Sequence, residues 1–306
     1  MKSPLRMPGG LARRTEPGAE QTLLRARPLL TAISAGLLVM AWVVFTTWGG
    51  APVDANSYWN ADPAAPYLND GPGLQYIYAP VFIQAISPLL TLSFDAFVAV
   101  IRAAELLALL FLAGPAAPIA LLLSPVASEV NAANVNLIFA VFIVLGFRWP
   151  ALWAPILITK PSAGIALLWF VARGEWRRAL IPVAIAGGLS LLSFLYRPDL
   201  WFDWVAYLRA SPDNPGWPFA IAIWPRLPVA LVLVLIGART GRPWMAVLAA
   251  IIAWPRLYFQ SIALLLALLP ALGMGRLPPV SFRTAWRSLP RPIGLRRPAA
   301  RNVSGG

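Results

Sequence analysis

The sequence predicts an all-α, polytopic transmembrane helical bundle, and three observations predict it. Of 306 residues, 59% are hydrophobic and 12% charged, with a mean hydropathy of +0.68; soluble domains carry roughly 25% charged residues. Apolar runs of about 20 residues, the length that crosses a hydrocarbon core near 30 Å thick, recur along most of the chain. The basic residues lie mainly in the two terminal segments and in short loops between apolar runs, which is how positive charge marks membrane topology.

The expected organisation is a membrane domain over residues 29–273 with about eight to eleven helices, flanked by basic segments 1–28 and 274–306. The outermost stretches, 1–20 and 274–306, are rich in Arg, Pro and Gly and are expected to be disordered. The first apolar run, 29–48, is long enough to span and lacks a small-x-small cleavage site, so it reads as an uncleaved first helix. Further apolar segments fall at 76–93, 96–113, 116–127, 135–147, 150–159, 162–172, 179–195, 218–236, 243–254 and 258–273. Several are too short to span alone. Half-length helices are expected at 116–127 and around the Lys160-Pro161 break, where interrupted backbone must be buried in protein or line a cavity.

Orientation follows from charge. Lys2, Arg6, Arg13, Arg14, Arg25 and Arg27 outnumber Glu16 and Glu20 at the start, and seven Arg with no acid follow Met274. The positive-inside rule therefore places both termini in the cytoplasm, together with the loops at 173–178 (RGEWRR) and 238–242 (ARTGR). Residues 49–75 hold Asp54, Asp62 and Asp70 and no Lys or Arg, so they form the first outer loop. A second, 196–217, mixes Asp199, Asp203 and Asp213 with Arg197 and Arg209.

The chain has no Cys and no His. That inventory excludes disulfides, thiolate nucleophiles, His-based zinc sites and the Ser-His-Asp triad, and it leaves carboxylates, Lys, Arg, Tyr and backbone groups for chemistry. The net charge of +13 reports topology by its distribution and gives no reason to expect nucleic acid. No metal or cofactor is expected.

Within that inventory a few residues stand out. The first outer loop combines Asp54 with Tyr58, Tyr76, Tyr78 and several Asn and Trp residues, a surface that suits a sugar: aromatic faces stack on pyranose rings, amides bind hydroxyls, and a carboxylate can take a proton from one. An interfacial aromatic belt has the same composition. Lys160, one of two lysines, sits in an apolar stretch where its charge needs compensation by a phosphate, by a carboxylate such as Glu129, or by snorkelling to the interface. The segment SEVNAANVN brings Glu129, Asn131, Asn134 and Asn136 together, as a polar site or as helix caps. Arg226 and Arg256 occur in the same Trp-Pro-Arg-Leu setting and fit either phosphate binding or interfacial anchoring. Arg102 and Glu105, three apart on one helix, are expected to neutralise each other.

In order along the chain these features resemble glycosyltransferase family 87, the polyprenol-phosphate-mannose-dependent mannosyltransferases of the glycosyltransferase C architecture. An Asp follows the first helix with a Tyr four residues later (Asp54, Tyr58); Tyr-x-Tyr-x-Pro opens the second apolar run (Tyr76 to Pro80) and leads to Pro88-Leu89. Asn134 to Leu137 (NVNL) stands where the family has a Gly-Gln-Val-Asn-like stretch, with Asn134 in place of the Gln. Lys160-Pro161 then starts an apolar run that ends in a basic loop.

The resemblance implies a multi-pass protein of a bacterial plasma membrane. It implies transfer of a hexose, most often mannose, from a polyprenyl-phosphate donor to an extracytoplasmic glycan or glycolipid acceptor. Asp54 carries over as the catalytic base and Lys160 as a donor-phosphate contact; Tyr58, Tyr76, Tyr78, Asn134, Asn136 and Arg256 are the further substrate-binding candidates. Buried charge among broken helices also suits a transporter or lipid flippase, although no inverted repeat is visible in the sequence. A non-catalytic scaffold would lack a sugar-sized space beside Asp54.

Overall fold

Apolar composition and frequent proline together dictate a bundle of long helices mixed with short, broken ones. In the computed structural model the described residues are 17–68, 76–210 and 221–273; they are all-α with no strand. The expected disordered segments lie outside them, apart from residues 17–20, which are helical. So do Asp70 and Asp213.

Among the described residues four helices are long and apolar enough to cross a membrane: the Ala26–Trp48 part of α1 (Pro17–Trp48), α4 (Phe94–Ala113) with its continuation to Leu121, α10 (Trp176–Tyr196) and α12 (Ile223–Thr240). A fifth is gained if the bent pair α6 (Ser124–Ala132) and α7 (Asn136–Gly146) counts as one span. This is fewer full-length spans than the sequence suggests, because proline divides much of the remaining apolar sequence. The first helix also begins earlier than residue 29, at Pro17, a residue suited to a helix start because its missing N–H would have no intrahelical partner there.

The expected second helix, 76–93, reduces to α3 (Pro80–Ile86), seven residues bracketed by Pro80 and Pro88. No separate half-helix forms at 116–127. Its first part, α5 (Ala117–Leu121), extends α4 through one 3-10 turn at Gly114–Ala116, and the chain restarts at Ser124 with Pro125 in the first turn of α6. At Lys160-Pro161 the interruption stands where it was expected: α8 (Ala154–Thr159) stops, and a 3-10 segment, Pro161–Leu167, leads into α9 (Leu168–Ala172). Both loops expected on the outer side contain helix. These are α2 (Val53–Trp59) and α11 (Pro198–Ala210), each with an Asp in its first turn, where the positive end of the helix dipole favours it.

Three further elements close the bundle. Helix α12 turns at Gly241, which takes the left-handed conformation (φ +67°), into α13 (Pro243–Ile252). The two pack closely because Gly237 has no side chain: a Cβ there would lie 2.8 Å from Cβ of Met245. A 3-10 segment at Phe259–Ala267 and α14 (Leu268–Ala271) end the described chain. Trp153 and Trp169 meet the ring of Phe147 edge-on in the core, with centroids 5.9 Å apart in each pair.

The basic loops gather at one end of the bundle. Arg173 donates to the Ala238 carbonyl and Arg178 to that of Phe147, while both pair with Glu175 at 2.9 and 2.7 Å. At the other end two buried arginines close the broken backbone. Arg102 donates to the carbonyls of Phe45, Gly50, Val130 and Asn131. The expected Arg102–Glu105 ion pair is absent, because these carbonyls, freed at the ends of α1 and α6, occupy the guanidinium; the buried Glu105 carboxyl faces that of Glu129 instead. Arg226 reaches from α12 to the carbonyls of Ile252 (2.6 Å), Trp254 (2.8 Å) and Pro255 (3.1 Å), where α13 ends. Its guanidinium caps the carbonyls at that helix end.

Replacing Arg226 by Met keeps the bulk but leaves these acceptors unmet, a loss of about 3 kcal/mol at the charged-donor end of the hydrogen-bond scale. The expected result is a melting temperature in detergent several degrees lower. An unchanged melting temperature would show that the cap is dispensable.

Candidate active site

The end of the bundle opposite the basic loops holds a cavity of about 280 Å³. Seven of the eight residues singled out from the sequence line it: Asp54, Tyr58, Tyr78, Asn134, Asn136, Lys160 and Arg256. They come from α2, the strand-like approach to α3, the α6–α7 elbow, the α8 break and the segment after α13, so only the fold brings them together. Tyr76 does not reach the cavity. It is buried behind the wall, its ring against Tyr67, Tyr78 and Phe82, because its hydroxyl turns back to the Ala79 carbonyl at 3.3 Å.

Asp54 is only partly accessible, and its Oδ2 is buried without a hydrogen-bond partner. Desolvation pushes its pKa up to about 6, against the opposing pull of the Lys160 charge and of the Gln260 amide, which faces the carboxyl. A carboxyl poised near neutrality and still mostly ionised at pH 7 is a suitable general base.

Lys160 is placed by the backbone. Pro161 disfavours helical geometry at the residue before it, and Lys160 accordingly adopts φ −136°, ψ 62° and ends α8. Its side chain is 8% exposed. Nζ lies 4.5 Å from the centroid of the Tyr78 ring and 5.8 Å from that of Trp254, and it has no ion pair. Glu129, the carboxylate considered as its partner, is taken by Asn136, which donates to it from its backbone N at 2.8 Å and from Nδ2 at 3.1 Å. Aromatic faces and the more distant Asp54 charge hold the ammonium instead.

A hydrogen-bonded wall joins these groups. The Tyr58 hydroxyl donates to Asn134 Oδ1 at 2.9 Å and lies 3.3 Å from the Tyr78 hydroxyl. Burial raises the Tyr58 phenol well above its ordinary range, so it stays protonated and able to donate. Sequence reasoning missed Trp254, Tyr258, Gln260 and Ser261, which complete the lining. The signal was present in Tyr258, Gln260 and Ser261, which follow Arg256 after Leu257.

A second cavity, an apolar groove of about 630 Å³, adjoins the first. Val81, Phe82, Phe139, Ile185, Leu189 and Leu192 are among its lining residues, and Thr159 opens onto it one position before Lys160. The partition is one ring thick in places. Phe82 packs on Tyr78 and Tyr58 with centroids 4.8 and 5.9 Å away, and Phe139 packs on Trp254 at 5.9 Å. No protein-family model, curated protein or solved structure matches the chain.

The raised pKa of Asp54 has a cost in stability. An unfolded Asp ionises near 3.8 and the folded one near 6, so between these values the folded state holds the extra proton and stability falls as pH rises. Above pH 6 the deficit is full, about 3 kcal/mol for a shift of this size. Asp54→Asn is therefore expected to raise the melting temperature at pH 7.5 and to change it little at pH 4, as thermal unfolding in detergent would read; a lower melting temperature at pH 7.5 would mean that Asp54 is a structural residue.

Proposed function

We propose that this chain is a multi-pass membrane glycosyltransferase that moves a hexose, mannose by its family resemblance, from a polyprenyl monophosphate to an acceptor hydroxyl on a glycan or glycolipid. The observation that carries the proposal is the shared cavity: a carboxyl with a pKa near neutrality and a buried ammonium without an ion pair face one sugar-sized space. The basic loops lie at the opposite end, so the positive-inside rule puts them and both termini in the cytoplasm and the cavity on the outer side. A bacterial plasma membrane with a glycosyltransferase C bundle fits the same reading.

In this mechanism Asp54 takes the proton of the acceptor hydroxyl as its oxygen attacks the anomeric carbon. The bond from that carbon to the phosphate oxygen breaks, and polyprenyl phosphate leaves with one more negative charge. Direct displacement inverts the anomeric centre. No general acid is required, because the leaving group is a phosphate; Lys160 and Arg256 stabilise the charge that develops on it. The groove beside the cavity supports the same reading, since a prenyl chain lying along Phe82, Phe139 and α10 would leave its phosphate next to Lys160.

Membranes containing the protein and supplied with labelled polyprenyl-phosphate-mannose provide the test. Asp54→Asn is expected to lose transfer by about a hundredfold or more at normal expression. Turnover of the unaltered protein should drop below about pH 6 as Asp54 takes up its proton. Lys160→Ala should weaken donor binding and move that acidic limb to higher pH, because the cation that favours the ionised carboxyl is gone. Full activity in Asp54→Asn would remove Asp54 from its role as the base.

A further inference from the structure

Glu129 has a place in the cavity's architecture that the transfer mechanism does not use. It is fully buried on α6, where a carboxyl among apolar helices, with the buried Glu105 carboxyl beside it, is costly unless hydrogen bonds compensate it. Three N–H groups do so. Oε1 accepts the backbone N–H of Asn136, the first residue of α7, and Oε2 accepts the side-chain amides of Asn136 at 3.1 Å and Asn134 at 3.5 Å. Glu129 is thus the N-terminal cap of α7, a role expected of the nearby Asn residues, and it fixes the 107° elbow between α6 and α7. At that elbow Ala133 is held at φ +51°, an unfavourable conformation for a residue with a Cβ, which persists only where the surroundings enforce it.

From the elbow a continuous series of contacts reaches the cavity's cation. Asn134 gives its amide N–H to Glu129, which turns Oδ1 toward the Tyr58 hydroxyl at 2.9 Å. Tyr58 meets the Tyr78 hydroxyl at 3.3 Å, and the Tyr78 ring lies beneath Lys160 Nζ at 4.5 Å. The Asn134 side chain is held from both ends: its Oδ1 also accepts the backbone N–H of Val135 at 2.8 Å, and Glu129 receives its amide on the other side.

We infer that Glu129 is a positioning residue that acts through Asn134 and Tyr58 to hold the Tyr78 ring, and with it Lys160, in place for the phosphate of a lipid-linked donor. The inference rests on reading the cavity as the donor site. It specifies a direction of influence: loss of the Glu129 acceptor weakens phosphate binding without removing any group that touches the phosphate.

The test is a double-mutant cycle on binding of a short-chain polyprenyl phosphate to the full chain in detergent, with the donor KM and kcat of transfer measured beside it. Glu129→Gln turns a donor toward two amide donors, and the expected rise in Kd and in donor KM is about tenfold, the worth of a lost hydrogen bond, with kcat nearly unchanged. In a Tyr58→Phe background the same substitution should add less than about twofold, because the connection is already cut. Asn134→Ala breaks the series while leaving the Glu129 cap of α7 intact, and it should raise Kd as Glu129→Gln does if the latter folds poorly. Unchanged Kd in these variants, or effects that simply add to that of Tyr58→Phe, would overturn the inference and leave the transfer reading untouched. Absence of both polyprenyl-phosphate binding and transfer in the unaltered protein would instead remove the transfer reading on which it stands.

Discussion

An ammonium group buried at the broken end of a helix, with no carboxylate against it, is the constraint on which this structure turns. Removing a Lys charge from water costs several kcal/mol unless the surroundings replace its hydration. Lys160 has the faces of Tyr78 and Trp254 and, across the cavity, the Asp54 charge. That arrangement holds the cation without consuming its three donors, so a phosphate entering the cavity meets an ammonium still able to bond. Had Asp54 formed a close ion pair with Lys160, the carboxyl would have been held ionised in the ordinary acidic range and the cation would have been spent.

The buried arginines show the alternative use of positive charge. Arg102 and Arg226 are 3% and 8% exposed, comparable with Lys160, yet their guanidinium groups are directed at backbone carbonyls where helices end. A bundle made of short helices exposes many such carbonyls, and each needs a donor because the apolar surroundings supply none. The planar, multi-donor guanidinium serves several at once. Partner chemistry, more than burial, therefore separates a structural cation from one left for a ligand.

Much of the site was legible in the sequence because its members carry groups that are expensive to bury. Asp54, Lys160 and the Asn residues of the elbow are conspicuous against an apolar background, and Pro161 announces the break that positions Lys160. The bundle's division into full spans and fragments was less legible, since an apolar run reports burial but not whether proline has cut the helix, as at 76–93. Arg226 and Arg256 share one local motif and have different fates. Arg226 lies within α12 and faces the end of α13, whereas Arg256 follows α13 and enters the cavity wall. Tyr76 and Tyr78 also part: Tyr78 lines the cavity, whereas the Tyr76 hydroxyl turns back to the Ala79 carbonyl.

The two adjoining cavities also constrain what the site can accept. A small polar solute would fill the first and leave the apolar groove beside it empty of any matching group; a simple lipid would fill the groove and leave Lys160, Arg256 and Asp54 unanswered. An amphipathic molecule with an anionic head joined to a long apolar chain, the donor class proposed above, would satisfy both at once. Thr159 and Lys160 are consecutive, yet one opens on the groove and the other on the polar cavity, so the junction between chain and head falls at the α8 break. The same discontinuity that frees the backbone for Lys160 thus sets the point at which apolar surroundings give way to charge.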